Sequence, residues 1–307
     1  MAANRPKGII IDSLVDSSSF DSYLLRHDST HENLTLTLVL KIFLNPVDTG
    51  WLPFSLARDF DGNPFIISRW TAGDWALFKR RFLAQTRLWN DRFWLVPPAS
   101  FAKHDMKFGA QVLRPNVYCH LFVDFVDSSA GAHHSISVVN LNPKITAASQ
   151  GVAERDLTSG TFRSDDQDYD SLDVKARSQV SIDDHGRKHT HANYRTIVHE
   201  IGHALQLPHI GVSRGDPRCG VAIALDAFVT WYAPGRSLPA IYSGGSNAQV
   251  CYGDYAPAAS GANVIGGGSQ FGPTNAEPWT KRIANRTGTN MSDWKVLMRH
   301  KSPSAVR

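Results

Sequence analysis

Residues 199 to 209 read His-Glu-Ile-Gly-His-Ala-Leu-Gln-Leu-Pro-His. On a helix, His199 and His203 lie four residues apart, so their imidazoles project from one face, a turn apart, and can grip one tetrahedral metal ion. Glu200 sits beside them, placed to take a proton from a water activated by the metal rather than to ligate. Two imidazoles leave such a site incomplete, and His209 is the candidate third ligand. Pro208 forces the chain off the helix after Leu207, and a turn there can swing the next imidazole back toward the metal. Three neutral nitrogen donors keep a fourth position open for water, and Zn2+ suits this donor set best.

This stretch resembles the signature of the metzincin clan of zinc endopeptidases, H-E-x-x-H-x-x-G-x-x-H followed later by a methionine-containing turn. Gln206 stands where the clan has glycine. That position requires positive φ, which costs a residue with a Cβ roughly 1 kcal/mol. The resemblance implies an α+β, zincin-like fold: a twisted mixed β-sheet with two long helices in an N-terminal lobe, then a small irregular C-terminal lobe. It implies His199, His203 and His209 as zinc ligands, Glu200 as general base, and a protein or peptide substrate. In such a fold an extended peptide adds to an edge strand, for which Ser135 to Leu141 is the candidate by resemblance. The stretch in the place of the methionine turn is Asn263-Val264-Ile265-Gly266-Gly267-Gly268, which sets Ile265 at the methionine position; Asn290-Met291-Ser292 is the alternative. Gly267 falls where some clan members carry a switchable tyrosine ligand. Tyr242, Tyr252 and Tyr255 lie in the C-terminal lobe, and nothing in the sequence selects one of them to stabilise an oxyanion.

These groups need elements to hold them. Tyr194, Ile197, Val198, Ile201 and Leu205 recur at helical spacing and predict an apolar back for the motif helix. Between Asn33 and Leu44, leucine and isoleucine alternate with Thr35, Thr37, Val39 and Lys41, the pattern of a strand with one buried face. A helix is expected to start near Thr71, where Thr71 and Asp74 have capping-box spacing with a shorter acid, and Trp75, Phe78, Phe82 and Trp89 mark its apolar side. Phe93 to Val96, Val117 to Phe125, Ser135 to Leu141 and Ala176 to Ile182 read as further strands. After His209 the composition shifts to Gly, Pro, Ser and Ala. Only Val221 to Trp231 and Glu277 to Ala284 look helical there, the second opened by Pro278.

The chain of 307 residues is long enough to bury a sizeable core. Residues 1–30, polar and rich in Ser and Asp, are expected to form a flexible arm. The resemblance implies that residues 31–307 are the catalytic domain, with an N-terminal lobe to residue 209 and a C-terminal lobe from 210. The net charge of +4 is spread out, with no basic run beyond Lys79-Arg80-Arg81, so a nucleic-acid footprint is not indicated. No stretch approaches a membrane span, and Gly8 to Ile11 is too brief for a signal-peptide core. The expectation is a soluble protein, cytoplasmic or exported by a non-classical route. Cys119 reads as a core thiol, whereas Cys219 and Cys251 are either a disulfide or two free thiols. Asp165, Asp166, Asp168, Asp170 and Asp173 read as a solvated acidic surface, since their spacing matches no calcium loop. His133, His134, His189 and His191 read as solvated.

The leading function is zinc-dependent hydrolysis of peptide bonds. The alternatives are a non-catalytic binding module on the same scaffold, with metal as a structural pin, and a zinc hydrolase of a non-peptide amide. Glu200 argues against the binding module, because a structural site has no use for an acid there.

Overall fold

The computed structural model describes residues 9–14, 19–26, 33–59, 62–103, 105–108, 110–162, 164, 167–182, 187–207 and 261–298. The chain falls into two units: Met1–Lys175 with Thr196–Gln206 and Gly272–Arg307, and Ala176–Arg195 with Leu207–Phe271. The last segment returns to the first unit, and the stretch before the motif helix leaves it.

The first unit is α+β, built on a mixed sheet. Its centre is β3 (Leu34–Pro46), which follows β1 (Ile9–Leu14) and β2 (Asp21–Arg26). A hairpin of β4 (Phe54–Arg58) and β5 (Pro64–Ser68) leads to α1 (Ala72–Thr86) and β6 (Phe93–Val96). The short hairpin β7 (Met106–Phe108) and β8 (Gln111–Leu113) precedes β9 (Val117–Phe125), and β10 (His134–Val139) follows. The strand order is β1-β2-β3-β9-β6, and β10 lies against β3 as well. Strand β2 pairs antiparallel with the first half of β3, from Arg26↔Leu34 to Asp21↔Val39, and β10 pairs parallel with the second half, from His134↔Ile42 to Val138↔Pro46. Strand β9 runs parallel along β3 from Leu34 to Ile42.

Pairing on both sides and cover on both faces change the expected character of β3. Leu36, Leu38, Leu40 and Ile42 are fully buried, but Thr35, Thr37 and Val39 of the other face are buried as well. Alternation had suggested one solvated face; threonine fits a closed one because its methyl group packs while its hydroxyl finds a local partner. Residues 9–14 and 21–26, expected in a flexible arm, are strands of this sheet. Phe20, Leu24 and Leu25 are buried. They are held from α4 (Glu277–Thr287), which follows α2 (Pro143–Gln150) and α3 (Thr196–Ala204) in the chain. Arg286 of α4 donates to the Ser22 carbonyl and hydroxyl, both at 3.0 Å, and the Arg282 guanidinium lies 4.7 Å from the centre of the Phe20 ring. A polar composition hid these contacts because they reach across more than 260 residues.

Strand β10 is not a free edge. It lies between β3 and β11 (Asp168–Asp170), which pairs with it parallel from Ser137↔Asp168 to Val139↔Asp170. The acidic stretch is likewise not a solvated surface where it can be seen: Asp170 and Asp173 are fully buried. The Asp173 carboxylate accepts from the Ser164 hydroxyl at 2.6 Å and from the Asp170 N–H at 2.9 Å, so it organises the turn after β11. His133 is also structural rather than solvated. Its Nδ1 accepts the Lys41 N–H at 3.0 Å, and its Nε2 lies 3.4 Å from the Asp21 carboxylate.

Helix α1 starts as its cap predicts. The Thr71 hydroxyl accepts the Asp74 N–H at 3.1 Å and donates to the Asp74 carboxylate at 2.6 Å, an exchange that suits an acid one methylene too short to reach the backbone. Phe82 is fully buried, 5.6 Å from Phe125 and 6.0 Å from Tyr169 between ring centres. Beyond the helix a 3-10 turn, Arg87–Trp89, directs the Trp89 indole N–H to the Val198 carbonyl of α3 at 3.1 Å, fixing one helix against the other. The next residue, Asn90, reaches β9 past the end of β6, which pairs with β9 at Tyr118 and Val117. Its carboxamide donates to the Leu121 carbonyl at 3.0 Å and accepts the Leu121 N–H at 2.7 Å, as a strand would. Cys119 is a buried free thiol, its pKa pushed well above the ordinary value by burial.

In the second unit β12 (Arg177–Ile182) and β13 (Lys188–Tyr194) form an antiparallel hairpin, with Arg177 4.9 Å from the Tyr194 ring. The stretch from Asn263 is a tight turn. The Asn263 carbonyl accepts the N–H groups of Gly266 and Gly268 at 2.9 and 3.1 Å, and its side chain accepts that of Ile265 at 2.9 Å. A Cβ at Gly268 would collide with the Ala262 backbone, so glycine is required there. In the first unit, β14 (Lys295–Met298) closes the described chain by pairing antiparallel with β6. No helix among the described residues is long and apolar enough to cross a membrane.

Phe82→Ala should cost about 3–5 kcal/mol and Thr71→Ala about 1 kcal/mol, read by chemical denaturation. His120 of β9 gives a pH signature, because burial lowers its pKa from 6.5 to about 4 against a smaller opposing pull from Asp91. The unfolded chain binds this proton below 6.5 and the folded one only near 4, so its contribution is complete above pH 6.5 and is lost as pH falls toward 4. NMR titration should place the midpoint near 4, and His120→Gln should flatten the stability profile across that window.

Candidate metal centre

Helix α3 carries the motif, and its packing fixes where the imidazoles point. The hydroxyl of Thr196 at its start meets the Ser159 hydroxyl at 2.6 Å in a buried pair. Ile197, Val198, Ile201 and Leu205 are buried, the apolar back that the periodicity predicts. Burial continues past that face: His199 is 1% exposed and Glu200 7%, whereas His203 is half-buried. The helix is therefore enclosed on more sides than an amphipathic pattern demands.

His199 and His203 converge. Their Nε2 atoms are 3.0 Å apart, and their rings stand edge to face at 83° with centres separated by 4.7 Å. A tetrahedral zinc with bonds of 2.0–2.1 Å places two ligand nitrogens about 3.3 Å apart, so a small ring rotation brings the pair to ligand spacing. The two described imidazoles fit zinc in donor type. Glu200 is on the same turn with its carboxylate drawn into the protein.

The helix ends in a left-handed turn. The Leu205 N–H still bonds the Ile201 carbonyl at 3.0 Å, and the Gln206 N–H shortens to the His203 carbonyl at 2.7 Å. Gln206 then adopts φ +67°, the left-handed conformation for which the resembled signature uses glycine. Its side chain is turned outward, and its amide donates to the Ser19 hydroxyl, a contact that offsets part of the backbone cost. Sequence alone marks this position as a departure; the contact to Ser19 lies 187 residues away and leaves no local signal.

His209 lies outside the described residues, as do Pro208, Cys219, Cys251, Tyr242, Tyr252, Tyr255 and the stretch Val221 to Trp231. Among the described residues no group of three or more His, Cys, Asp or Glu is arranged to hold a metal ion. In the second unit His189 and His191 stand two apart on β13, ring centres 6.5 Å apart, with the His191 pKa lowered by burial and then by His189. The two candidates for the methionine position differ in burial: Ile265 is 1% exposed, and Met291, on a 3-10 turn, is 37% exposed.

Comparison of the chain with protein-family models, with curated proteins and with solved structures finds no match.

If the left-handed conformation is the constraint at the helix end, Gln206→Gly should leave the melting temperature unchanged or slightly raised. Gln206→Val, β-branched and strained at positive φ, should lower it clearly. Equal effects of the two substitutions would contradict that account.

Proposed function

We propose that the chain is a zinc-dependent endopeptidase of metzincin type, in which His199, His203 and His209 hold the metal and Glu200 is the general base. The observation that carries this reading is the meeting of the two Nε2 atoms at 3.0 Å on a buried helix turn that also carries Glu200. A bound zinc would supply Lewis acidity, polarising a carbonyl and lowering the pKa of water toward about 7. Glu200 accepts the proton of the attacking water and returns it to the leaving amine, so one carboxylate serves both halves of the reaction. Enclosure of α3 keeps bulk water away from that carboxylate and holds both imidazoles in place, which reduces the reorganisation needed at the moment of reaction. The left-handed conformation of Gln206 is the one the resembled signature uses before its third histidine, which supports giving that role to His209.

Purified protein should carry about one zinc per chain, removable by a chelator, and His209→Ala should lower zinc affinity as severely as His203→Ala. Full zinc retention by His209→Ala would move the third ligand elsewhere. The test of activity is digestion of a broad peptide library read by mass spectrometry, wild type against Glu200→Gln, with and without chelator. Cleavage is expected only in zinc-loaded wild type, with a loss of at least ~10²-fold in the variant at unchanged zinc content and melting temperature. No cleavage by zinc-loaded protein would favour the binding module. Turnover of simple amides but not peptides would favour the non-peptide hydrolase.

A further inference from the structure

A second polar site lies away from α3. Where β6 stops short, a cleft of about 240 Å³ opens between the end of α1 and β9, lined by Leu83, Arg87, Asp91, Tyr118, His120 and Val123 among others. That volume is below the ~300–1,000 Å³ of drug-sized pockets, so its ligand is small.

The charges in this cleft are arranged unusually. Arg87 is exposed, and among the described residues its side chain forms no ion pair or hydrogen bond. Asp91 follows four residues later, the spacing at which a continuing helix would pair the two. The helix does not continue: Asn90 is extended, at φ −80° and ψ 159°, and Asp91 is left-handed at φ +59°. One Asp91 carboxylate oxygen accepts the Tyr118 hydroxyl at 2.8 Å, while the Asp91 N–H donates to the Tyr118 hydroxyl oxygen at 2.9 Å. The other carboxylate oxygen remains available at the exposed rim. A cation and an anion thus line one small cleft without neutralising each other, and the neutral imidazole of His120 belongs to the same lining, its Nδ1 3.5 Å from the Thr37 hydroxyl.

We propose that this cleft binds a small zwitterion, of the size of one α-amino acid or a dipeptide, with its carboxylate on Arg87, its ammonium on Asp91 and its apolar part against Leu83 and Val123. None of these residues lies on α3, so the proposal stands independently of the zinc reading.

Calorimetric titration of the full-length protein with leucine and with leucyl-leucine tests it and separates the two ligand sizes. Saturable binding of at least one is expected, weakened at least ~10-fold by Arg87→Gln and by Asp91→Asn, since each removes a charge-assisted hydrogen bond. Asparagine tolerates positive φ and still accepts the Tyr118 hydroxyl, so the melting temperature of Asp91→Asn should hold. N-acetyl-leucine, which lacks the ammonium, and leucinamide, which lacks the carboxylate, should each bind at least ~10-fold more weakly than leucine. Absence of saturable binding at millimolar ligand would overturn the proposal. So would N-acetyl-leucine binding as tightly as leucine, or binding indifferent to Arg87→Gln, which is the result expected of a ligand seated at the metal centre instead.

Discussion

The sheet depends on β3 being satisfied in every direction. Its backbone is taken up by β9 on one side and by β2 and then β10 on the other, and both of its faces are covered. A strand of 13 residues so enclosed has no freedom to slip, because a shift of one residue would exchange leucines for threonines on each face. Register fixed there is passed to β9 and, through Phe125, to α1. The Trp89 hydrogen bond then carries it from the end of α1 to α3. The imidazoles of His199 and His203 inherit their positions from a strand on which neither of them lies.

Helix α3 is short for the work assigned to it. Nine residues would be marginal alone in water, so its stability comes from its surroundings, notably the Ser159 hydroxyl at its start and the Trp89 indole along its side. A helix held from outside in this way keeps His199 and His203 in place regardless of its own propensity. The same logic accounts for Gln206. A left-handed residue with a Cβ persists when the structure around it determines its conformation, and the bond from its side chain to Ser19 belongs to that determination.

Much of this was legible in the sequence. The alternation at Val117 to Phe125 and the cap at Thr71 locate β9 and α1 closely, because each is a local rule acting on neighbouring residues. The four-residue spacing of His199 and His203 gave their convergence for the same reason. Partners at long range were not legible. The polar run before residue 30 conceals two strands because its anchors, Arg282 and Arg286, lie far along the chain. Asp170 and Asp173 look solvated in a one-dimensional reading, since hydropathy does not register that backbone N–H groups and a serine hydroxyl are waiting for them. Strand β10 reads as an edge in the sequence because β11, its outer neighbour, is three residues long and has no periodicity to detect.

The carboxamide of Asn90 has a further consequence for how copies of this chain meet. Where β6 ends, β9 turns an edge outward, and an unpaired edge is a template on which another chain can add a strand. At Leu121 that template is already occupied by an amide from within the molecule, engaged through both its nitrogen and its oxygen. An incoming strand would have to break two good hydrogen bonds before making its own. One side chain thereby acts as a guard against aggregation along the edge, without the lysines or prolines that exposed strands more often use.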